Sequence, residues 1–330
     1  AKTTLMNRVN QIYNDDLAVK MLLVNGSDKL NFQTLTEATG TNGPCGASPC
    51  YSASDMTGCG GVIDTNTNVV GLLIGAENYD IGHIAFGPTG DGGGVAYLGQ
   101  VGMGTLKAGG CTGLNPPTGD FFAIDYVAHE MGHQFGGNHT FNGTQGSCGG
   151  GNRNAGTSVE PGSGSSVMAY AGICAQSDLQ PHTDPYFSQR SQTEITAHVT
   201  GAVTSFNEIQ RFGLANFGGT DAFTLDFNGT QTATITNGGN YTTAGVKAAI
   251  EAVTGATATV ASLSTGGFQV TYSGALANTN IVNPTIVPAV VDSFTWAGGD
   301  YVKGGTNTRG GTATANGNHN PTATAPAAKS

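Results

Sequence analysis

Positive charge is scarce in this chain: Lys and Arg together number 12 against 22 Asp plus Glu, which sets the net charge at −10. A surface of that sign repels phosphate backbones and anionic bilayers, so neither nucleic acid nor a membrane is an expected partner. No apolar run approaches the roughly 18 residues that a membrane helix requires. Charged residues are only 10% of the chain, yet 38% are hydrophobic, which is not the composition of a disordered protein. The six cysteines lack both CxxC pairs and zinc-finger spacing; an even set of this kind favours disulfides in an oxidising compartment, and hence secretion, with the pairing left open. Glycine is abundant, 53 of 330 residues, but follows no G-X-Y period, so it signals tight turns and not collagen. The opening AKTTLMNRVN has no initiator Met, basic n-region or apolar h-region, as expected of a processed, mature chain.

The elements suggest a mixed α/β or α+β fold. Leu5, Val9, Ile12 and Tyr13 recur at helical spacing, and AVKMLLVN (residues 18–25) reads as a buried strand. Residues 40–61, rich in Gly, Pro, Ser and Cys, read as a loop stapled by its own cysteines, and VVGLLIG (69–75) as another strand. Strands are expected within 80–88 and 94–99, a helix over 121–135 with Asp120 as N-cap, and a helix from Ser188 to about Gly201. These place a first domain at 1–212. Beyond it, Thr-rich alternating segments and one helix near 246–253 predict a small β-rich module over 213–300. Residues 301–330 have almost no large apolar side chain and read as a linker or tail.

The informative segment is HEMGHQFGGNH, residues 129–139. His129 and His133 stand at i and i+4, one turn apart on one helix face, where two imidazoles can hold one ion. Gly136 can end the helix with a positive φ and turn the chain so that His139 approaches the same point. Three protein ligands leave the fourth position of zinc for water, as in catalytic and not structural sites, and Glu130 stands beside that position. With 7 His, 7 Glu and 53 Gly in the chain, the five fixed positions would coincide by chance about 10⁻⁵ times in a chain of this length.

This segment resembles the elongated HExxHxxGxxH of the metzincin zinc endopeptidases, which a methionine-containing turn follows downstream. SSVMAYAG (165–172) supplies that turn, with Met168 29 residues after His139. Within the clan, YVAHEMGHQFGGNHTFNG and GNRNAGTSVEPGSGSSVMAYAGIC are similar to secreted bacterial members of the reprolysin-like, adamalysin-type branch. The resemblance covers residues 1–212 and implies a metzincin-type domain: a twisted mixed sheet and active-site helix in an upper part, 1–139, above a smaller lower part, 140–212. Three departures stand out. Thr140 occupies the place where reprolysins usually carry Asp. Tyr170, two residues past Met168, matches instead the M-x-Y of astacins and serralysins, where the phenol can ligate zinc or contact the oxyanion; a structural Tyr beneath the site is the other reading. The chain also starts within the first helix, which implies that a prodomain and a first strand were removed or lie outside this sequence.

The resemblance implies a zinc-dependent endopeptidase in which His129, His133 and His139 bind the metal and Glu130 accepts a proton from water and delivers it to the leaving amine. It also implies an edge strand for extended substrate at Gly94, Val95, Ala96 and Tyr97, for which an ordinary interior hairpin is the other reading, a pocket floor within 169–173 and 185–187, and a disulfide between Cys148 and Cys174 bracketing the lower part. Asp125, four residues before His129, suggests either a supporting hydrogen bond to it or a solvated or capping carboxylate. His83, His182, His198 and His319 lack ligand spacing. Structural calcium is an expectation from extracellular relatives alone, since DTNTN (64–68) lacks the Gly and Glu of an EF-hand loop. Protein or peptide substrates and a monomeric state are expected. The alternative is an adhesion or matrix-binding protein on a metzincin scaffold, its work done by the Thr-rich module.

Overall fold

A computed structural model describes residues 1–90, 92–201, 205–263, 266–291, 293–302 and 305–306. The chain opens with helix α1 (Lys2–Leu17), whose Val9, Ile12, Tyr13 and Leu17 face the core. Ala18 stops it in the left-handed region at φ 52°. The strand expected over 18–25 does not form. Val19 and Met21 are buried, but the Met21 backbone is satisfied at both ends by the Asn10 side chain, whose Nδ2 donates to Met21 O and whose Oδ1 accepts from Met21 N, each at 2.7 Å. A side chain has taken the place of a neighbouring strand.

Helix α2 (Leu35–Thr39) carries a reciprocal cap between Thr34 and Glu37. The expected strand at 69–75 is instead the end of helix α3 (Cys59–Ile74), which Gly75 stops at φ 84°. Eleven of the sixteen α3 residues are buried, so its apolar residues form a continuous run, and that pattern alone does not separate a buried helix from a buried strand. The loop expected to run to residue 61 therefore ends before Cys59; Cys45–Cys50 staples it locally, while Cys59 reaches Cys111.

Three short strands follow: β1 (Ile84–Phe86), β2 (Gly93–Ala96) and β3 (Gly110–Gly113). β3 lies between the others, parallel to β1 and antiparallel to β2, so among the described residues β2 is an edge. The helix expected over 121–135 is two-part: a π-helix (Phe121–Ala128) runs into α4 (His129–Gln134). Asp120 is not its side-chain cap; it is held by Arg8 at 3.0 Å. Helix α5 (Gln189–Thr200) does begin at a Ser188 cap, which accepts from Ser191 N. Core residues of α1, the π-helix, α4, the 167–168 turn and α5 form one cluster that includes Tyr13, Phe122, Met131, Met168 and Ile195.

After residue 205, the antiparallel strands Ile209–Ala215, Thr257–Ser262, Gly267–Ser273 and Thr295–Val302 make a four-stranded sheet. A second sheet contains Ala222–Phe227 and Thr285–Pro288. With helix α6 (Thr243–Thr254) they enclose a cluster around Phe212, Leu225, Ile250 and Phe268. Strand Ile209–Ala215 thus runs across position 212. Its neighbour Thr295–Val302 lies on α3: the Tyr301 ring occupies the space that a side chain at Gly71 would fill, and the Arg211 guanidinium sits 3.4 Å above that ring's centre. Of the stretch expected to be a tail, 303–304 and 307–330, His319 included, lie outside the described residues.

Candidate metal centre

The spacing of His129 and His133 on α4 brings both imidazoles to one side of the helix. Gly136 adopts φ 96° and its N–H donates to His133 O, so the chain leaves the helix there and returns His139 to the same point. The three Nε2 atoms converge: His139 Nε2 is 3.2 Å from His129 Nε2 and 3.0 Å from His133 Nε2. Zinc–nitrogen bonds of about 2.0–2.1 Å in a tetrahedral arrangement require ligand separations close to these.

Each imidazole is oriented from behind by a backbone carbonyl. His129 Nδ1 donates to Val167 O at 2.6 Å, His133 Nδ1 to Gly137 O at 2.7 Å, and His139 Nδ1 to Asn152 O at 2.6 Å. With the proton on Nδ1, each Nε2 lone pair faces the shared centre. Burial lowers the pKa of all three rings, that of His133 to about 3, and repulsion among them adds to the effect at His129 and His133. Neutral, inward-facing imidazoles are the form that binds a metal. Among the described residues these three are the one cluster of His, Cys, Asp or Glu with such geometry.

Glu130 is buried, and burial raises its pKa to about 8; a divalent cation alongside acts in the opposite sense and favours the carboxylate. Gly94 on β2 packs directly against it: a β carbon there would overlap Glu130 Oε1. The structure therefore brings the edge strand and the carboxylate together. Val95 and Ala96 continue β2, and Tyr97 N donates to Gly109 O, while the Tyr97 phenol donates to Asp64.

The 165–172 turn lies beneath the histidines. Met168 is fully buried, with Sδ in the space a side chain at Gly132 would need, and Met168 O accepts from Thr140 N at 3.1 Å. The Tyr170 ring sits edge-on to His139 at 4.5 Å and stacks on Phe141 at 4.6 Å; burial raises the phenol's pKa. Cys148 and Cys174 are joined and pack with Phe141. Asp125 does not support His129, whose Nδ1 is held by Val167 O. It accepts from Thr183 N at 2.9 Å and lies 3.9 Å from His182, tying the segment after the turn to the π-helix.

Sequence reasoning missed several supports. The fully buried Tyr13 donates its phenolic proton to Ala128 O at 2.8 Å, where the π-helix meets α4. His83 Nδ1 donates to Gln134 Oε1 and its Nε2 accepts from Thr112 Oγ1, both at 2.9 Å, which joins α4 to β3. The carbonyls of Val167, Gly137 and Asn152 carry no sequence signal, because any residue offers one.

The fold and the histidine cluster together define a metallopeptidase. Residues 1–201 match the Metallo-peptidase family M12B Reprolysin-like, and the chain belongs to that family. No curated protein matches the chain.

Proposed function

We propose that this protein is a secreted zinc metalloendopeptidase, and the observation that carries the proposal is the convergence of three neutral Nε2 atoms beside the Glu130 carboxylate. His129, His133 and His139 would hold zinc, which when bound acidifies a water and polarises a carbonyl. Glu130 takes the proton of the attacking water and returns it to the leaving amine, acting as base and then acid. Burial beneath β2 shields this exchange from bulk solvent.

An extended peptide would add to β2 as a further strand. Among the described residues β2 pairs only with β3, and the glycine at position 94 lets its backbone approach Glu130. Gly94, Val95, Ala96 and Tyr97 then orient the substrate, and residues after Met168 shape the pocket beyond the cut bond. The Tyr170 phenol, carried beside His139, would stabilise the developing oxyanion. Three disulfides support secretion. The catalytic part is the matched segment, with its lower part from 140, and the strands after residue 205 form an accessory part seated on α3. No observation favours the adhesion reading. The test is zinc stoichiometry together with cleavage of an unfolded protein such as casein, with and without phenanthroline. One zinc per chain, with activity lost on chelation and restored by zinc, is expected; zinc without cleavage of any unfolded protein would refute the peptidase reading.

A further inference from the structure

Thr140 stands where the resembling family usually has Asp, immediately after the third histidine. The structure places a different carboxylate at that point. Glu160 is the one acidic residue between His139 and Met168, and its side chain gathers four donors from two separate segments. Oε1 accepts from Ser165 N at 3.0 Å and Ser166 N at 3.1 Å; Oε2 accepts from Ser166 Oγ at 2.5 Å and from the Thr140 hydroxyl. The backbone repeats the link: Glu160 N donates to Thr140 O at 2.9 Å, and Asn142 N to Glu160 O at 2.8 Å. Thr140 and Ser166 are fully buried, so the donors facing this carboxylate have no solvent to turn to. Gly164 leaves room nearby: a β carbon there would collide with Ala169 Cβ and lie tight, at 3.0–3.1 Å, against the Glu160 carbons.

Both ends of this bridge lead to the metal centre. Thr140 follows His139 directly, and Ser166 precedes Val167, whose carbonyl accepts from His129 Nδ1. We propose that Glu160 is a positioning residue for the metal centre: its carboxylate locks the His139 segment to the methionine turn and so fixes the orientation of His139 and His129 toward a bound ion. It supplies from position 160 the negative group that the family places at 140. The inference rests on the zinc reading above.

The test uses the full chain and compares wild type, Glu160→Gln and the double variant Thr140→Asp/Glu160→Gln. Zinc affinity is read by competition with a chromogenic chelator, the visible d–d spectrum of the Co2+-loaded protein reports ligand geometry, and thermal unfolding of the metal-free protein reports the fold. Glu160→Gln is expected to weaken zinc binding about 10-fold or more and to alter the Co2+ bands in a protein that, metal-free, still unfolds cooperatively though at a lower temperature. Thr140→Asp should restore both signals, as loss of generic packing would not allow. Wild-type zinc affinity and Co2+ bands in a folded Glu160→Gln protein would overturn the proposal. If Glu160→Gln does not fold, the double variant decides: recovered fold and zinc affinity support the relocation, and a double variant that stays unfolded or binds zinc no better overturns it. Failure of wild type to take up zinc would refute the functional reading instead, so the two failures are distinguishable.

Discussion

Gly94 and Glu130 pack so closely that the glycine's missing side chain is the space in which the carboxylate sits. Adding one methyl group would force either β2 or the carboxylate aside. A displacement near 1 Å of a catalytic group can cost roughly 10²-fold in rate. Gly94→Ala is therefore expected to lose about that factor in kcat while zinc content stays at the wild-type level. Steady-state kinetics with parallel metal analysis checks this, and an Ala variant of full activity would show that β2 does not confine Glu130.

Glu130→Gln tests the proton-transfer role itself. The amide keeps the size of the side chain and cannot accept the proton, so turnover should fall about 10²–10⁴-fold. The three imidazoles keep their backbone partners, so zinc stoichiometry should not change. Substantial casein hydrolysis by this variant would remove Glu130 from the mechanism.

The Cys148–Cys174 bridge closes a loop with a sequence separation of 26, and Asn152, whose carbonyl orients His139, lies inside it. The double replacement Cys148→Ala/Cys174→Ala should cost roughly 3 kcal/mol of stability through chain entropy. It should also loosen zinc binding by freeing the Asn152 segment. Denaturant unfolding and chelator competition on the same sample separate the two effects.

His83 sets an acid limit on stability. Burial holds its pKa down at about 4 in the folded protein, against an ordinary value of 6.5, and the hydrogen bond to Gln134 opposes this only in part. A lowered histidine pKa means that the unfolded chain binds the proton more readily. The stability from this group is complete above pH 6.5 and is lost as pH falls toward 4, by about 2–3 kcal/mol. Urea titrations from pH 7 to 4 should show that loss in the wild type and a shallower one in His83→Gln.

How far the sequence could be read followed the range of the forces involved. The histidine face, the Gly136 turn and the helices from Ser188 and near 246–253 are set by neighbours within a few residues, and they were legible. Helix α3 was not: it is covered on most sides, so its apolar residues lose the helical period, and the β-branched pair Val69 and Val70 suggests a strand. The 18–25 segment carries a strand's pattern without forming one because the Asn10 side chain satisfies Met21, a pairing that no periodicity reveals. Asp125 was legible as a helix-face carboxylate, but its partner, Thr183, lies 58 residues away. Glu160 was visible only as the one acid between His139 and Met168, and Thr140 only as a departure.

The seat of the Tyr301 ring on α3 ties together two positions far apart in the chain. Position 71 lies inside the segment shared with the family, and position 301 lies beyond its matched boundary, yet the ring fits only because residue 71 has no side chain. The C-terminal strands thus constrain a helix that lies inside the matched segment. A homologue with an aromatic residue at the equivalent of Tyr301 should therefore retain glycine at the equivalent of Gly71, so the two positions should vary together.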